Sequence, residues 1–91
     1  MIFEWDEEKN RINRQKHGIS FELASKVFDD ENRLEDYDEI HSIYEDRYVV
    51  IGNVGSIVYV VCTDRPQTNS VRIISARLAT KNERRRYYGY N

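Results

Sequence analysis

The residues of this chain that are best suited to phosphate chemistry lie in its last third. Positions 65–91 hold seven cationic residues and one carboxylate, which gives this segment a charge of +6. The cations are Arg65, Arg72, Arg77, Lys81, Arg84, Arg85 and Arg86. A basic segment of this kind is typical of a surface that binds a phosphate-bearing partner. Arginine suits that task because its planar fork matches two phosphate oxygens and stays charged.

An acidic segment directly upstream offers a second explanation for this charge pattern. Positions 29–48 carry nine acids and two bases, so their charge is −7, whereas the whole chain has a formal net charge of −2. The two segments could neutralise each other in the fold, or the basic segment could be a contact surface. Charge alone leaves both interpretations open.

The other reactive side chains favour a reaction without a metal ion or cofactor. One cysteine and two histidines are far apart in the sequence and lack the paired spacing of zinc ligands. The four glycines form no phosphate-binding loop. A set of Arg, Lys, His, Glu and Tyr suits cleavage of RNA by its own 2′-hydroxyl. The protein then has to position the strand, supply an acid and a base, and place cations beside the phosphate.

The first half of the chain predicts a short strand and two helices. Residues 2–5 alternate between apolar and polar and indicate the strand. Asp6 is a suitable N-cap for a helix that runs to about Lys16 and ends at the following His-Gly pair. A second helix over residues 21–28 begins after Ser20 and carries an apolar stripe that we assign to the core.

The first of these helices is unusual because its shared face is polar. Ile12 is its only apolar residue. Lys9, Asn13, Lys16 and His17 recur at helical spacing and lie on one face. Burial in a core would not explain this face, so we expect it to be either solvated or a contact surface.

The second half of the chain predicts a β-meander followed by a helix. Four segments indicate consecutive strands, at residues 33–37, 47–54, 57–63 and 71–76. Thr80 and Glu83 form a capping box that opens the last helix. The element order is β-α-α-β-β-β-β-α, which predicts a single domain over residues 1–91. Its expected class is α+β, an antiparallel β-sheet with N-terminal helices and one C-terminal helix.

Two arginines of the last strand raise a question about its faces. On a regular strand Arg72 and Arg77 point in opposite directions, because successive side chains alternate. They share a face only if the strand ends or bulges before Arg77. At most one of them is expected on the helix-covered face of a regular strand, which leaves the other for a ligand.

Groups of residues along nearly the whole chain have the spacing of one known family. The first groups are Glu4-Trp5-Asp6, Lys9, Asn13, Lys16-His17-Gly18-Ile19 and Phe21-Glu22. The middle groups are Val27-Phe28-Asp29-Asp30, His41, Glu45, Arg47 and Ile51-Gly52. The last groups are Arg72-Ile73-Ile74-Ser75-Ala76-Arg77, Ala79-Thr80, Glu83-Arg84 and Tyr87. In these positions the chain resembles the BrnT family of toxins from bacterial toxin–antitoxin systems. It departs from the family at Leu78, where relatives often carry another basic residue.

The resemblance implies a compact RelE-like fold, a metal-independent ribonuclease activity and inhibition of translation. It also implies a cognate antitoxin with a ribbon-helix-helix DNA-binding half, which represses the shared operon. The protein would therefore act on RNA and form a hetero-oligomer with its antitoxin.

Among the positions that match the family, chemistry selects five candidates for catalysis. Arg77 and Arg47 are the candidates for stabilising the phosphate. His41 is the candidate acid or base, with Lys16 and His17 as alternates. The candidate RNA contacts are Arg72, Lys81, Arg84, Arg85 and Tyr87. Three tyrosines among the C-terminal cations are placed to stack on bases: Tyr87, Tyr88 and Tyr90.

The same residues are consistent with a different class of function. A non-catalytic module that binds RNA or protein through the basic surface would carry similar arginines. An Arg77→Ala variant separates the two classes, provided that cleavage by the wild type is also measured. The function of Glu83 is open in the same way, because it could either cap the last helix or take part in catalysis.

The short apolar segments and the first residues of the sequence predict a cytoplasmic protein without membrane contact. No apolar run approaches the length of a membrane-spanning helix, and the first residues lack the pattern of a signal peptide. Cys62 is the only cysteine, so it forms no intrachain disulfide. It lies in an apolar strand, where we expect a buried and inert thiol.

Overall fold

Helices flank a five-stranded β-sheet in the structure, a computed structural model that describes residues 1–89. In chain order the elements are β1 (Ile2–Glu4), α1 (Glu7–His17), α2 (Phe21–Ala24), a 3₁₀ helix (Ser25–Asp29), β2 (Leu34–Tyr37), β3 (Arg47–Asn53), β4 (Ile57–Arg65), β5 (Ser70–Leu78) and α3 (Lys81–Tyr87). The predicted α+β class and the predicted order of elements are confirmed. Tyr90, one of the three tyrosines expected to stack on bases, lies outside the described residues.

The sheet is mixed, whereas the sequence predicted an antiparallel sheet. Its strand order is β1-β5-β4-β3-β2, and the pairings from β2 to β5 form the predicted antiparallel meander. β1 lies beside β5 and pairs with it in parallel, with Phe3 opposite Val71. The helices and the meander lie between these two strands in the chain and supply the long connection that a parallel pair requires.

A first core lies between one face of the sheet and the segment that follows α1. Ile19, which precedes α2, and the helical residues Phe21, Ala24 and Val27 pack on buried residues of β3, β4 and β5. The three helical residues belong to the apolar stripe predicted for residues 21–28. The α-helix changes to 3₁₀ geometry at Ser25, whose Oγ donates to the Glu22 carbonyl that the next helical turn would use.

α1 has the predicted ends but an unexpected mode of packing. Asp6 caps it by accepting from two backbone N–H groups, and Gly18 ends it in the left-handed region at φ 72°. Asn10 and Asn13 are its buried residues. The Asn10 side chain accepts from the Phe21 N–H at 2.8 Å. α1 is therefore held to its neighbours by amide hydrogen bonds in place of an apolar stripe.

Asn13 corrects the expectation that the polar face of α1 is either solvated or a contact surface, because its side chain is buried. Its Nδ2 donates to the Ala76 carbonyl at 2.8 Å and to the Ile19 carbonyl at 2.9 Å, and its Oδ1 accepts from the Ala76 N–H at 3.2 Å. β1 pairs with β5 only as far as Arg72, so Ala76 lies beyond the end of β1. Asn13 takes the place of a strand partner there, because unpaired backbone groups are costly to bury.

α3 covers one end of the opposite face of the sheet. A second, smaller core there contains Val49, Ile51, Ile57 and Ala79, with Tyr59 and Tyr87 packed against it. The predicted capping box is present at the start of α3. The face beyond this core is formed by polar residues of β3, β4 and β5.

A bulge in β5 decides which face its arginines occupy. The register of the β4–β5 ladder shifts between Val61 and Cys62, and Ile74 has no partner on β4. The extra residue moves the alternation by one position, so Arg72 and Arg77 lie on the same face, the face that carries α3. The sequence allowed the two arginines to share a face only if β5 ended or bulged before Arg77, and the bulge at Ile74 meets this condition.

Candidate active site

Arg77 is fixed in place where β5 meets α3. Its guanidinium carbon lies 3.8 Å from the centroid of the Tyr59 ring on the neighbouring strand. Nη1 donates to Glu83 Oε1 at 2.8 Å and Nη2 donates to Oε2 at 3.0 Å. Nη1 also donates to the Leu78 carbonyl at 3.1 Å. A ring below and a bidentate carboxylate at its edge orient the planar cation before any ligand arrives.

Glu83 belongs to both the helix cap and the site. Its Oε1 accepts from the Thr80 N–H at 2.8 Å, and its own N–H donates to Thr80 Oγ1 at 3.2 Å. The hydrogen bond from Arg77 holds the pKa of Glu83 below its ordinary value, and the same bond raises the pKa of Arg77. Glu83 is therefore an ionised acceptor at neutral pH. The capping function of Glu83 is therefore confirmed, and a part in catalysis stays a prediction.

A shallow groove of about 360 Å³ lies beside this pair. Val49, Ile51 and Tyr59 form its apolar floor. Its polar rim consists of Asp36, Tyr37, Asp38, His41, Glu83 and Arg86. The groove thus joins β2, the β2–β3 loop and α3 above the middle of the sheet.

Asp36 and Arg86 form a second bidentate ion pair at the rim. Nη2 of Arg86 donates to Asp36 Oδ1 at 2.8 Å, and Nη1 donates to Oδ2. The hydrogen bond from Arg86 lowers the pKa of Asp36. Neither residue is among the candidates from the sequence. Alternation in β2 would place Asp36 on the face of Leu34, but its contact with α3 also depends on the register with β3.

His41 reaches the same groove from the loop between β2 and β3. Its Nδ1 lies 2.8 Å from Asp38 Oδ2, and its side chain is 66% exposed. A carboxylate at Nδ1 holds the ring and leaves Nε2 as the nitrogen that can exchange a proton with a ligand. His41 therefore lines the groove together with Glu83, and Arg77 lies beside the groove, bound to Glu83.

Arg47 and Arg72 lie on the same face but in another row of the sheet. They flank Thr63 across β3, β4 and β5. Thr63 is four residues along β4 from Tyr59, the partner of Arg77, which corresponds to about 13 Å. The ion pairs of Arg47 and Arg72 with neighbouring glutamates are long, 3.5 Å and 3.9 Å. Arg47 is therefore not beside Arg77, although both face the same side.

Lys16 and His17 lie apart from the groove. They are exposed at the end of α1, which packs against β5 and α2. His17 lines a separate shallow pocket together with Leu78, and Leu78 pairs with Val58 of the first core. The two alternate candidates thus belong to the side of the sheet that does not carry Arg77.

The candidate RNA contacts on α3 differ in exposure. Lys81, Arg84 and Arg85 are exposed, as a binding surface requires. Tyr87 is half-buried against the second core, and its hydroxyl donates to Asp30. That hydrogen bond raises the pKa of Tyr87 to about 12. Tyr87 therefore anchors α3 in this structure, and its ring is largely covered.

Cys62 and the acidic side chains provide no further reactive centre in residues 1–89. In this range no three His, Cys, Asp or Glu side chains are arranged to hold a metal ion. Cys62 is buried, as expected, and burial raises the pKa of its thiol to about 12. The thiol is thus protonated and inert at neutral pH. No helix in the same range is long and apolar enough to cross a membrane.

Comparisons with known proteins identify the family. A family model for the ribonuclease toxin BrnT of type II toxin–antitoxin systems matches residues 5–83. The crystal structure of the Brucella abortus ribonuclease toxin BrnT superposes on this chain with a TM-score of 0.68 at 22% identity. The superposition covers 89% of this chain and 100% of that chain, which confirms the fold. No curated protein matches. Because the family model covers most of the chain, the protein belongs to the BrnT family of ribonuclease toxins of type II toxin–antitoxin systems.

Proposed function

We propose that this protein is a metal-independent endoribonuclease that inhibits translation and is neutralised by a ribbon-helix-helix antitoxin. Membership of the family supports a toxin with an RNA substrate and an antitoxin partner. The observation that carries the reaction type is the position of Glu83, which lines the groove together with His41 and holds Arg77 beside it. Arg77 and His41 supply the cation and the proton-transfer group that 2′-hydroxyl attack requires.

The proposed reaction is attack of the 2′-hydroxyl on the adjacent phosphorus. A bond forms between O2′ and phosphorus, and the bond between phosphorus and O5′ breaks. The products are a 2′,3′-cyclic phosphate and a 5′-hydroxyl, after one proton leaves O2′ and another reaches O5′. His41 performs one of these transfers through Nε2, and a water molecule performs the other. Arg77 stabilises the negative charge that develops on the phosphate oxygens, where an oriented donor is most effective.

Arg47 and Arg72 have a supporting function in this account. The backbone positions of their row lie about 13 Å along the strands from the row of Arg77, which corresponds to a neighbouring phosphate more closely than to the one beside Arg77. Their long ion pairs with glutamates leave the guanidinium groups able to exchange partners. We assign them to phosphates that flank the cleaved bond, and not to the reacting phosphate as the sequence suggested for Arg47.

Cleavage in the presence of excess EDTA tests the reaction. We expect the purified protein to cut RNA under these conditions and to leave 2′,3′-cyclic phosphate and 5′-hydroxyl ends. A substrate with 2′-deoxyribose at the cleavage position should remain intact. Activity that EDTA abolishes and a divalent cation restores would contradict metal independence. Intact RNA in several sequence contexts, with a folded sample that still binds RNA, would identify a binding module instead.

The proposed antitoxin covers the surface around the groove. The loop that carries His41 also exposes three apolar side chains, with Ile40 80%, Ile43 76% and Tyr44 99% accessible to solvent. Exposed apolar groups beside exposed α3 cations suit a partner with both apolar and acidic residues. We expect this partner to exclude RNA, and the exposed Lys9, Lys16 and His17 on α1 could extend the interface. Hydrogen exchange of the complex tests this, because an inactive complex that leaves both surfaces unprotected would rule it out.

A further inference from the structure

The groove carries a charge that disfavours phosphate and favours hydrogen-bond donors. Its rim has three carboxylates, from Asp36, Asp38 and Glu83, against the one guanidinium of Arg86. Even with Arg77, which is bound to Glu83, the cations do not outnumber the carboxylates. This net negative charge excludes a phosphate from the groove but not from its edge beside Arg77, and a neutral ligand with N–H groups would find acceptors inside the groove. The apolar floor suits a flat ring, so the ligand we consider is a nucleobase.

The Asp36–Arg86 pair retains hydrogen-bonding capacity after its own two bonds are made. Arginine has five N–H donors and a carboxylate has about four acceptor positions, and the pair uses two of each. The side chain of Arg86 is 53% exposed and that of Asp36 is 43% exposed. The lowered pKa of Asp36 keeps its oxygens as acceptors at neutral pH. Unused donors of Arg86 and unused acceptors of Asp36 therefore lie side by side at the rim.

We propose that this pair binds guanine, so that the groove is the base-recognition subsite of the RNA site. This inference rests on the proposed function, since the base comes from the RNA substrate. Guanine presents two adjacent acceptors, O6 and N7, which are the preferred partners of arginine. Next to them it presents the N1–H and the N2 amino group, which match a carboxylate. Adenine and cytosine offer the carboxylate one amino group, and uracil flanks its single N–H with two carbonyl oxygens.

The test compares RNA oligonucleotides that differ only in the base at one position next to the cleaved bond. We expect kcat/KM to be highest for guanine at that position by about tenfold or more, the discrimination typical of a bidentate contact. In Asp36→Asn and Arg86→Gln this preference should fall to within a fewfold of unity. The measured quantity is a ratio between substrates, so a smaller folded fraction in a variant cancels.

Glu35→Gln is the matched control because Glu35 lies beside Asp36 on β2 but points to the other face of the sheet. The preference for guanine should be unchanged in this variant. Inosine in place of guanosine removes only the 2-amino group. It should lower kcat/KM in the wild type and have a smaller effect in Asp36→Asn. Equal loss in both proteins would show that Asp36 does not contact that group.

Binding of free nucleotides separates failure of this inference from failure of the proposed function. Guanosine 3′-monophosphate should shift the NMR resonances of Asp36 and Arg86 at lower concentration than the cytidine and uridine nucleotides do. If RNA stays intact but this binding is seen, the subsite holds and the ribonuclease proposal fails. If RNA is cut without a base preference, or with one that neither variant changes, the guanine subsite is wrong while the ribonuclease stands.

Discussion

At the scale of single residues, Glu83 connects the stability of α3 with the geometry of the site. One of its oxygens accepts from both the Thr80 N–H and Arg77, and the other accepts from Arg77 alone. Both partners favour the ionised carboxylate, which is why the pKa of Glu83 is lowered. Removing its charge should therefore affect folding and the orientation of Arg77 together.

Glu83→Gln tests this connection through the pH dependence of folding. Glutamine keeps an acceptor for Thr80 but loses the ion pair, so we expect a loss of roughly 0.5–1 kcal/mol in the free energy of unfolding at neutral pH. Because the folded pKa is below the ordinary value of 4.5, the stabilisation by Glu83 is present above that value. It is lost as pH falls through the folded pKa. Urea unfolding should therefore show the two proteins converging in acid, and a constant difference would contradict the account.

The residues that the sequence did not select are those whose importance depends on strand register. Arg77 and His41 could be chosen by residue type, because their chemistry suits phosphate and proton transfer. Tyr59 and Asp36 could not, since each acts through a neighbour on another strand or on α3. The position of Tyr59 opposite Arg77 also depends on the bulge at Ile74, and that bulge follows from packing across the whole β4–β5 ladder.

At the scale of elements, α1 shows where sequence patterns succeed and where they fail. Its ends follow from local chemistry, a capping Asp6 and a left-handed Gly18, and both were predicted. Its packing was not predicted, because the sequence pattern of an asparagine on a polar helix face is the same for a solvated residue and for one that binds a strand. Asn13 binds the edge of β5 that β1 leaves unpaired, and this edge forms only in the assembled sheet.

Asn13→Ala tests the packing of α1 on β5. Alanine favours helix formation more than asparagine does, so the same change at an exposed helix position would leave the free energy of unfolding unchanged or raise it. At Asn13 it leaves the Ala76 and Ile19 backbone groups without their buried partner, and we expect a loss of about 2–3 kcal/mol in the free energy of unfolding. Chemical denaturation measures this loss, with exposed Gln15→Ala as the control. Equal stability of the two variants would show that the Asn13 contacts contribute nothing.

At the scale of the whole molecule, the two charged segments are both paired and exposed. Arg86 forms an ion pair with Asp36, so part of the basic segment is neutralised by the acidic one, and the neutral Tyr87 adds a hydrogen bond to Asp30. Lys81 and other cations of α3 remain exposed beside the groove. Neutralisation is thus observed at Arg86, and a contact surface formed by the exposed cations of α3 stays a prediction.

We propose that this face of the sheet is a ribonuclease site in which Arg77 stabilises the reacting phosphate. The most direct measurement is the RNA cleavage rate of Arg77→Ala in EDTA, with circular dichroism to confirm folding. We predict a loss of at least about 100-fold, the usual effect of removing one oriented donor to a developing anion. The cleavage rate of Arg77→Lys should lie between those of the wild type and Arg77→Ala, because lysine keeps the positive charge but lacks the two-pronged guanidinium. Arg14→Ala on α1 is the control for lost positive charge and should cleave normally. A folded Arg77→Ala protein that cleaves RNA at the wild-type rate would contradict the account.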